Sequence, residues 1–317
     1  MSQLLFTGTK RRAYLRDITI LVPKTWTKNS TYEQAGIEAF EKANVIIDKP
    51  NGVQGDNPYV NQKGECGQPG TFMHLTPKFV LDDTVAAAYG TPPAKTVLHE
   101  WGHLRWGLFD EYPVDENDAH FYHDSMSERI EGVRCSRGVT GKEYKRVNDD
   151  FVWNCNPDKK TNLPESACRF APYVKGNEGA TSIMSHHYVE SVIEFCDNDA
   201  QAHALDLHND QAPNRQNRLC DGRSAWEVMR EHEDFENNNN PPVQGDIDTT
   251  PTFRVVQQQP KRYVLVLDVS GSMANDNRLK NLKKACTEFL LNTVDEESQV
   301  GARKQQHGGS WWYFGRC

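Results

Sequence analysis

The sequence contains no long apolar run. Hydrophobic types make up 37% of its 317 residues, and its mean hydropathy is −0.74. No stretch approaches the ~18–20 consecutive apolar residues that a membrane-spanning helix requires. The sequence therefore predicts no membrane span and disfavours a pore-forming role. At this length the chain has room for one large domain and a fragment of a second.

The sequence also lacks a concentrated patch of positive charge. The net charge is −8, from 36 Lys and Arg against 44 Asp and Glu, and no basic cluster stands out. Proteins that bind nucleic acids neutralise phosphates with clustered Lys and Arg. The composition therefore disfavours a nucleic-acid partner.

None of the eight cysteines belongs to a C-x-x-C pair, which excludes a zinc ribbon. Six cysteines are spread through loop-rich sequence, a distribution typical of disulfides formed in an oxidising compartment. The residues do not choose among the possible pairings. We predict a buried thiol at Cys286, and Cys317 is an odd cysteine. The six cysteines of the first group are Cys66, Cys135, Cys155, Cys168, Cys196 and Cys220.

No secretory leader is visible at the start of the sequence. Residues 1–6 are too short for the apolar region of a signal peptide. Because the cysteines indicate an oxidising compartment, we expect that the true N-terminus is missing or replaced. Asn29 opens an N-x-T acceptor for N-glycosylation, which is used only in a secreted chain. The prediction is an extracellular protein.

The most informative feature that is present is the pentapeptide H-E-W-G-H. Residues 94–106 contain no proline, and Gly107 follows them as a helix-ending residue, so we predict a helix here. On that helix His99 and His103 lie one turn apart on the same face, where both imidazoles reach one Zn²⁺. Glu100 lies beside them, placed to take a proton from a zinc-bound water.

A catalytic zinc ion needs a third protein ligand and an open position for water. A turn at Gly107 swings the acidic residues that follow it back toward the two histidines. Asp110 is the favoured third ligand, and Glu111 stays open as the alternative. Tyr112 is a candidate donor to the oxyanion that forms during peptide hydrolysis.

The segment T-S-I-M-S, which contains Met184, resembles the Met-turn of metzincin proteases. In those enzymes the turn places a methionine beneath the zinc-binding histidines. The chain departs from their pattern H-E-x-x-H-x-x-G-x-x-H in one respect, because Asp110 comes one residue later than their third ligand. This shift of one residue leaves both Asp110 and Glu111 open as the third ligand.

Two further expectations concern the surroundings of this site. We expect residues 71–75 to form the edge strand along which zincins hold their substrate. His203 and His208 are five positions apart, a poor spacing for one helix face, and we predict no second metal site from them.

A second motif begins at a short apolar run, residues 263–267, which predicts a buried parallel strand. It ends in Asp268, Ser270 and Ser272. Carboxylate and hydroxyl oxygens are the ligands that Mg²⁺ and Ca²⁺ prefer. The stretch resembles the metal-ion-dependent adhesion site of von Willebrand factor A domains, and residues 279–291 are predicted as the next amphipathic helix.

Only the beginning of such a domain is present. The loops that carry a threonine and another aspartate in that family are absent. Residues 302–317 contain two adjacent tryptophans and no periodicity, and we interpret them as an aberrant tail. We therefore expect an incomplete sheet in which Val264–Leu267 exposes an unpaired edge.

The order of these motifs is similar to that of the calcium-activated chloride channel regulator family. The resemblance runs from about Arg11 to Gly301. It implies a secreted or surface protein in which a zinc hydrolase-like domain precedes an A domain, and which cleaves itself and modulates a separate chloride channel. The most similar segments are 17–26, 73–79, 105–112, 192–196 and 223–226.

The resemblance and the motifs together predict an α+β zincin/metzincin-like catalytic domain over residues 1–230. A linker over 231–260, an incomplete α/β, Rossmann-like A-domain fragment over 261–301 and the tail follow. Zn²⁺ is the predicted cofactor, and the substrate is another protein or the chain itself. The alternatives are a non-catalytic binding module that acts through Mg²⁺ or Ca²⁺ at Asp268, and an inactive truncated product.

Overall fold

The computed structural model describes most of the chain. It describes the side chains only as far as residue 302, and Cys317, the predicted odd cysteine, lies outside the described residues. The other residues outside the description are 116, 149, 154, 200–202, 259–261, 295–297, 307 and 308. The chain divides into two compact units, Met1–Ile18 with Lys42–Thr252 and Thr19–Glu41 with Phe253–Cys317.

Short strands and helices follow one another along the chain, mostly in runs of one kind. The helices are α1 (Ser2–Gly8), α2 (Pro77–Leu81), α3 (Asp83–Ala87), α4 (Pro93–Trp106), α5 (Arg215–Leu219), α6 (Ala225–Arg230) and α7 (Arg278–Asn292), with 3-10 turns at Phe40–Lys42, Glu236–Asn238 and Gly271–Asn277. The strands are β1 (Asp17–Val22), β2 (Glu33–Gln34), β3 (Val45–Ile47), β4 (Tyr59–Val60), β5 (Met73–Leu75), β6 (Phe121–Asp124), β7 (Arg129–Gly132), β8 (Gly141–Val147), β9 (Asp150–Val152), β10 (Cys168–Pro172), β11 (Thr252–Gln257), β12 (Arg262–Asp268), β13 (Gln299–Gln306) and β14 (Gly309–Arg316). No described helix has the length and apolar character needed to cross a bilayer.

The first unit contains two three-stranded sheets, β3-β5-β4 and β10-β8-β9, and the hairpin β6-β7. Helices and small sheets are mixed, which confirms the α+β class. The expectation for residues 71–75 is wrong in one respect, because β5 is the central strand of its sheet. It pairs in parallel with β3 and antiparallel with β4. Strands β3 and β4 form the two edges of this sheet. Pairing between such distant segments is not revealed by local periodicity.

Helix α4 runs through the main core of this unit. Leu98, Trp106 and Leu108 are buried on it or just after it. They pack in one cluster with residues from 183–235, among them Met184, Phe195 and Trp226. Pro93 begins the helix, where its missing N–H costs nothing. The helix ends at Gly107, whose backbone is left-handed with φ of 60°.

Disulfides tie the loops of the first unit together. The pairs are Cys66–Cys220, Cys135–Cys196 and Cys155–Cys168. The predicted use of the six cysteines in disulfides is therefore confirmed. Cys286 is a free thiol, as predicted, but it is only half-buried and not fully buried. Among the described residues of α7, none is fully buried.

The second unit contains the sheets β1-β11-β2 and β12-β13-β14. In the latter β12 pairs in parallel with β13, and β13 pairs antiparallel with β14. Strand β13 thus continues into the predicted tail over residues 302–306. Strand β14 covers residues 309–316 of the same tail. Strand β12 lies at the edge of the sheet order, and Val264 and Val266 on it are exposed.

Candidate metal centre

Helix α4 presents the H-E-x-x-H residues to the interior of the first unit. His99 is 3% exposed, and Glu100 and His103 are each 8% exposed. The two imidazole ring centroids lie 4.8 Å apart, as expected for residues one helical turn apart. Their Nε2 atoms are separated by 3.2 Å. The sequence prediction therefore places the two rings correctly with respect to each other.

Each histidine is oriented by its other ring nitrogen. Nδ1 of His99 lies 2.9 Å from the Ile183 carbonyl oxygen, and Nδ1 of His103 lies 2.6 Å from that of Leu108. A carbonyl oxygen only accepts, so Nδ1 carries the proton in both rings. Each Nε2 is then left with a lone pair, which is the arrangement that histidine ligands of metals have.

Asp110 brings a third donor atom to the same point. Its Oδ1 lies 3.1 Å from His99 Nε2 and 3.3 Å from His103 Nε2. Tetrahedral zinc with bonds of about 2.0–2.1 Å separates its ligand atoms by about 3.3 Å. The three donors therefore fit a zinc ion in both chemistry and spacing.

The charges in this cluster stabilise one another. Burial opposes the charged form of His103, but Asp110, Glu100 and the Leu108 carbonyl together outweigh burial and raise the pKa of His103 to about 9. Burial likewise opposes ionisation of Asp110, yet His103 and His99 lower its pKa below the usual range. A cation at this position, whether a proton or a metal ion, is what the donor set requires.

The loop that returns Asp110 is held by a buried glutamine. The side-chain carbonyl of Gln216 accepts from Phe109 N–H at 2.8 Å, and the Gln216 N–H donates to the Asp110 carbonyl oxygen at 3.1 Å. Gln216 is fully buried. Because it comes from α5, far along the sequence, no local pattern identifies it as a residue of the site.

Glu100 lies beside the two histidines on the same helix. Burial raises the pKa of its carboxyl group, while His103 and His99 act in the opposite direction. The backbone N–H of Val60, on strand β4, lowers the pKa of this carboxyl as well.

Met184 packs directly against the histidine helix. A Cβ added at Gly102 would lie 2.5 Å from the Met184 sulfur, so the glycine between the histidines makes room for it. The Met184 N–H donates to Ser182 Oγ at 3.1 Å, which closes a tight turn. The role of this turn as a Met-turn stays a prediction.

Two further aromatic side chains lie near the centre. Tyr112 has its ring 6.1 Å from His99, and burial and the nearby Asp110 raise its pKa. His187, whose ring lies 4.9 Å from that of His99, was missed by the sequence analysis. Burial, assisted by His99, lowers the pKa of His187 to about 3. In the sequence, the adjacent pair His186 and His187 directly after the Met184 turn is the feature that could have indicated a histidine near the centre.

Glu111, the alternative third ligand, is placed elsewhere. It is completely buried, and its Oε1 lies 4.0 Å from Nδ1 of His208. Burial raises the pKa of the Glu111 carboxyl to about 8. Its carboxylate belongs to a second group of potential ligands with Cys135 and Cys196.

The three residues of the second motif lie together after β12. Ser270 N–H donates to Asp268 Oδ1 at 2.8 Å, and the hydroxyl oxygens of Ser270 and Ser272 are 3.0 Å apart. Asp268 and Ser272 are exposed. The predicted acceptor Asn29 is also exposed, with its Oδ1 accepting from the Thr31 hydroxyl at 2.9 Å.

The buried histidines and glutamate, together with the half-buried Asp110, define the class of site: a candidate H-E-x-x-H metal centre. A family model described as the N-terminal part of calcium-activated chloride channel proteins matches residues 1–241. The chain belongs to the calcium-activated chloride channel regulator family, as predicted. The match begins at residue 1, earlier than the resemblance to Arg11–Gly301 indicated.

Full-length members of the family are similar over almost all of this chain. Calcium-activated chloride channel regulator 3A-1 of Mus musculus is 39% identical over 304 residues, 95% of this chain and 32% of the relative. Regulators 1 and 2 of Homo sapiens are each 39% identical, over 95% and 94% of the chain. The chain spans about a third of the length of these relatives. No solved structure matches.

Proposed function

We propose that the first unit is a zincin/metzincin-like domain that hydrolyses peptide bonds with the help of Zn²⁺. One observation carries the proposal: the Nε2 atoms of His99 and His103 and Oδ1 of Asp110 converge within 3.1–3.3 Å, in the core. Glu100 next to them supplies the general base that such chemistry needs. The substrate is a protein, either another protein or the chain itself.

The residues of the chain divide the work as follows. Bound zinc supplies a Lewis acid that activates water and polarises the scissile carbonyl. The carbonyls of Ile183 and Leu108 fix the histidine rings with their lone pairs toward the ion. Glu100 accepts a proton from the attacking water and delivers it to the leaving amine. Tyr112 donates a hydrogen bond to the oxyanion.

Zinc content and chelation test this function directly. We expect the oxidised protein from a secretory host to carry about one Zn²⁺ per chain and to cut a peptide library. A chelator such as phenanthroline is expected to abolish cleavage, and added zinc to restore it. Zinc-free protein with correct disulfides, even after incubation with Zn²⁺, would contradict the proposal.

Substitution of the adjacent acids identifies the third ligand. We expect Asp110→Asn in the oxidised protein to weaken zinc binding at least about 100-fold, more than loss of a residue that only hydrogen-bonds a ligand usually does. Glu111→Gln is the matched control, and its zinc affinity is expected to stay close to wild type because its carboxylate faces His208. Competition with a fluorescent zinc chelator measures the zinc affinity of both variants. The opposite order would assign the ligand to Glu111.

The second unit supports a different candidate function. Asp268 and Ser272 are exposed, and with the half-buried Ser270 they present three oxygen donors close together, which suits Mg²⁺ or Ca²⁺. We infer an incomplete A-domain fragment over 261–301, after a linker over 231–260, with a tail over 302–317. A cation-dependent contact here would bind a partner such as a chloride channel at the cell surface. In that case the chain modulates the channel without catalysis.

A further inference from the structure

Four metal-ligating side chains from separate segments meet in the core of the first unit. Their ligand atoms all lie within 4.8 Å of one another. The four residues are Glu111, Cys135, Cys196 and His208, and each is buried. None of them belongs to the proposed zinc centre, although Glu111 directly follows Asp110 in the chain.

Backbone hydrogen bonds hold these segments in place. The Glu111 N–H donates to the Met184 carbonyl at 2.9 Å. The His208 N–H donates to the Asp197 carbonyl at 2.9 Å, and the Cys135 carbonyl accepts from the next residue along, Asn209, at 2.9 Å. The cluster is thus a fixed arrangement of the fold.

The cluster contains acceptors without a donor among the described residues. His208 Nε2 lies 3.0 Å from the Gly222 carbonyl oxygen, so Nε2 carries the proton and Nδ1 has the lone pair. Neither Nδ1 nor either Glu111 carboxylate oxygen makes a hydrogen bond of ordinary geometry. The side chains of Ser182 and Asn217 interact with Glu111 and His208, respectively. Buried acceptors that face one another need either a shared proton or a metal ion between them.

We propose that these four side chains form a second metal site, which binds Zn²⁺ when the Cys135–Cys196 disulfide is reduced. Two thiolates, one imidazole and one carboxylate are a donor set that zinc accepts in closed tetrahedral sites. In the structure the two cysteines form a disulfide, which removes both thiolates. The site therefore alternates between a metal-bound dithiolate and a disulfide, and it does not depend on the proposed peptidase.

Ordinary thiol–disulfide exchange converts the disulfide into the metal-bound dithiolate and back. A dithiol reductant supplies two electrons and two protons, opens the sulfur–sulfur bond to two thiols and becomes a disulfide itself. Metal binding then releases both thiol protons, because the thiolate is the ligand. A disulfide oxidant reverses the sequence, and the metal leaves when the bond between the two sulfurs re-forms.

Cobalt is the probe that separates this site from the histidine–aspartate centre. Co²⁺ bound to thiolates absorbs strongly in the near ultraviolet, whereas Co²⁺ bound to imidazole and carboxylate does not. After anaerobic reduction, we expect the full chain to bind about one more Co²⁺ than the oxidised protein does, with the thiolate band. Zn²⁺ is expected to displace it and to protect Cys135 and Cys196 from alkylation, as measured by mass spectrometry.

Two cysteine-pair variants serve as matched tests under the same reducing conditions. Cys135→Ser/Cys196→Ser is expected to lose the band, and Cys155→Ser/Cys168→Ser to keep it. His208→Gln is expected to weaken cobalt binding at least about tenfold. A band that survives in the first variant, or equal alkylation of all cysteines in folded, zinc-treated protein, would overturn the proposal.

Reduction also opens the other disulfides, so folding is followed by circular dichroism. If the reduced, metal-free chain unfolds, we expect Zn²⁺ to restore the helical signal in wild type but not in Cys135→Ser/Cys196→Ser, since structural zinc contributes folding energy. Failure of Zn²⁺ to restore it would count against the site. Loss of peptidase activity in oxidised protein would bear on the first centre alone.

Discussion

Glu100→Gln is expected to lower the rate of peptide cleavage about a thousandfold while zinc content stays at the wild-type level. Positioned acid–base groups contribute about 10²–10⁴-fold to such reactions, and glutamine neither accepts nor returns the proton. The side chains have the same shape, so the buried position beside His99 and His103 is kept. Turnover of a fluorogenic peptide by zinc-loaded proteins of equal concentration measures the effect.

The exposed Glu65 provides a matched control for this experiment. Glu65→Gln makes the same chemical change on the surface of the first unit and is expected to leave the rate unchanged. Equal rates for wild type and Glu100→Gln would remove Glu100 from the mechanism.

If neither wild type nor Glu100→Gln cuts although both bind zinc, the binding-module function gains support. Asp268→Ala then separates the two functions, because it is expected to abolish partner binding and any effect on chloride current. In the peptidase case the same variant keeps its cleavage activity. The readouts concern different units of the chain, so one result does not mask the other.

The part of the site that sequence predicts well is the part carried by one helix. Spacing of four places His99 and His103 on one face wherever the helix forms, and Pro93 and Gly107 mark its ends. Both rings are found as the pattern requires, with Nε2 atoms 3.2 Å apart. Local periodicity is sufficient here because the geometry is set within a single element.

The third donor depends on distant parts of the chain. Whether Asp110 or Glu111 returns to the histidines is decided by Gln216 and Met184, which bond the backbone on either side of the two acids. Sequence spacing left both open for that reason. Hydrogen bonds between segments a hundred residues apart carry no local signal.

The second cluster shows the same limit more strongly. The spacing of His203 and His208 disfavours a metal site formed by these two histidines on one helix. It does not exclude a site in which His208 meets residues of other segments. His208 instead meets Glu111 and two cysteines from other segments. The pairing of Cys135 with Cys196 was likewise beyond reach of the sequence, as was the central position of β5. All are set by tertiary contacts between segments.

Gly107→Ala is expected to lower the free energy of unfolding of the first unit by about 3 kcal/mol or more. Its φ of 60° is strained for alanine, and the added Cβ would lie 2.4 Å from Gln68 N and 2.6 Å from Gln68 C. These contacts are with backbone atoms, so a side-chain rotation cannot relieve them. Urea unfolding of the oxidised protein, followed by tryptophan fluorescence, measures the change.

Gly176→Ala separates backbone strain from the collision. Gly176 has φ of 78°, and no described atom lies within 4 Å of the added Cβ. It is expected to cost about 1 kcal/mol, the penalty for φ alone. Because Gly107 aims Leu108 and Asp110 at the histidines, Gly107→Ala is also expected to lose zinc, whereas Gly176→Ala keeps it. Equal destabilisation by the two variants would show that the Gln68 backbone yields, and that the turn into the site is not fixed by this contact.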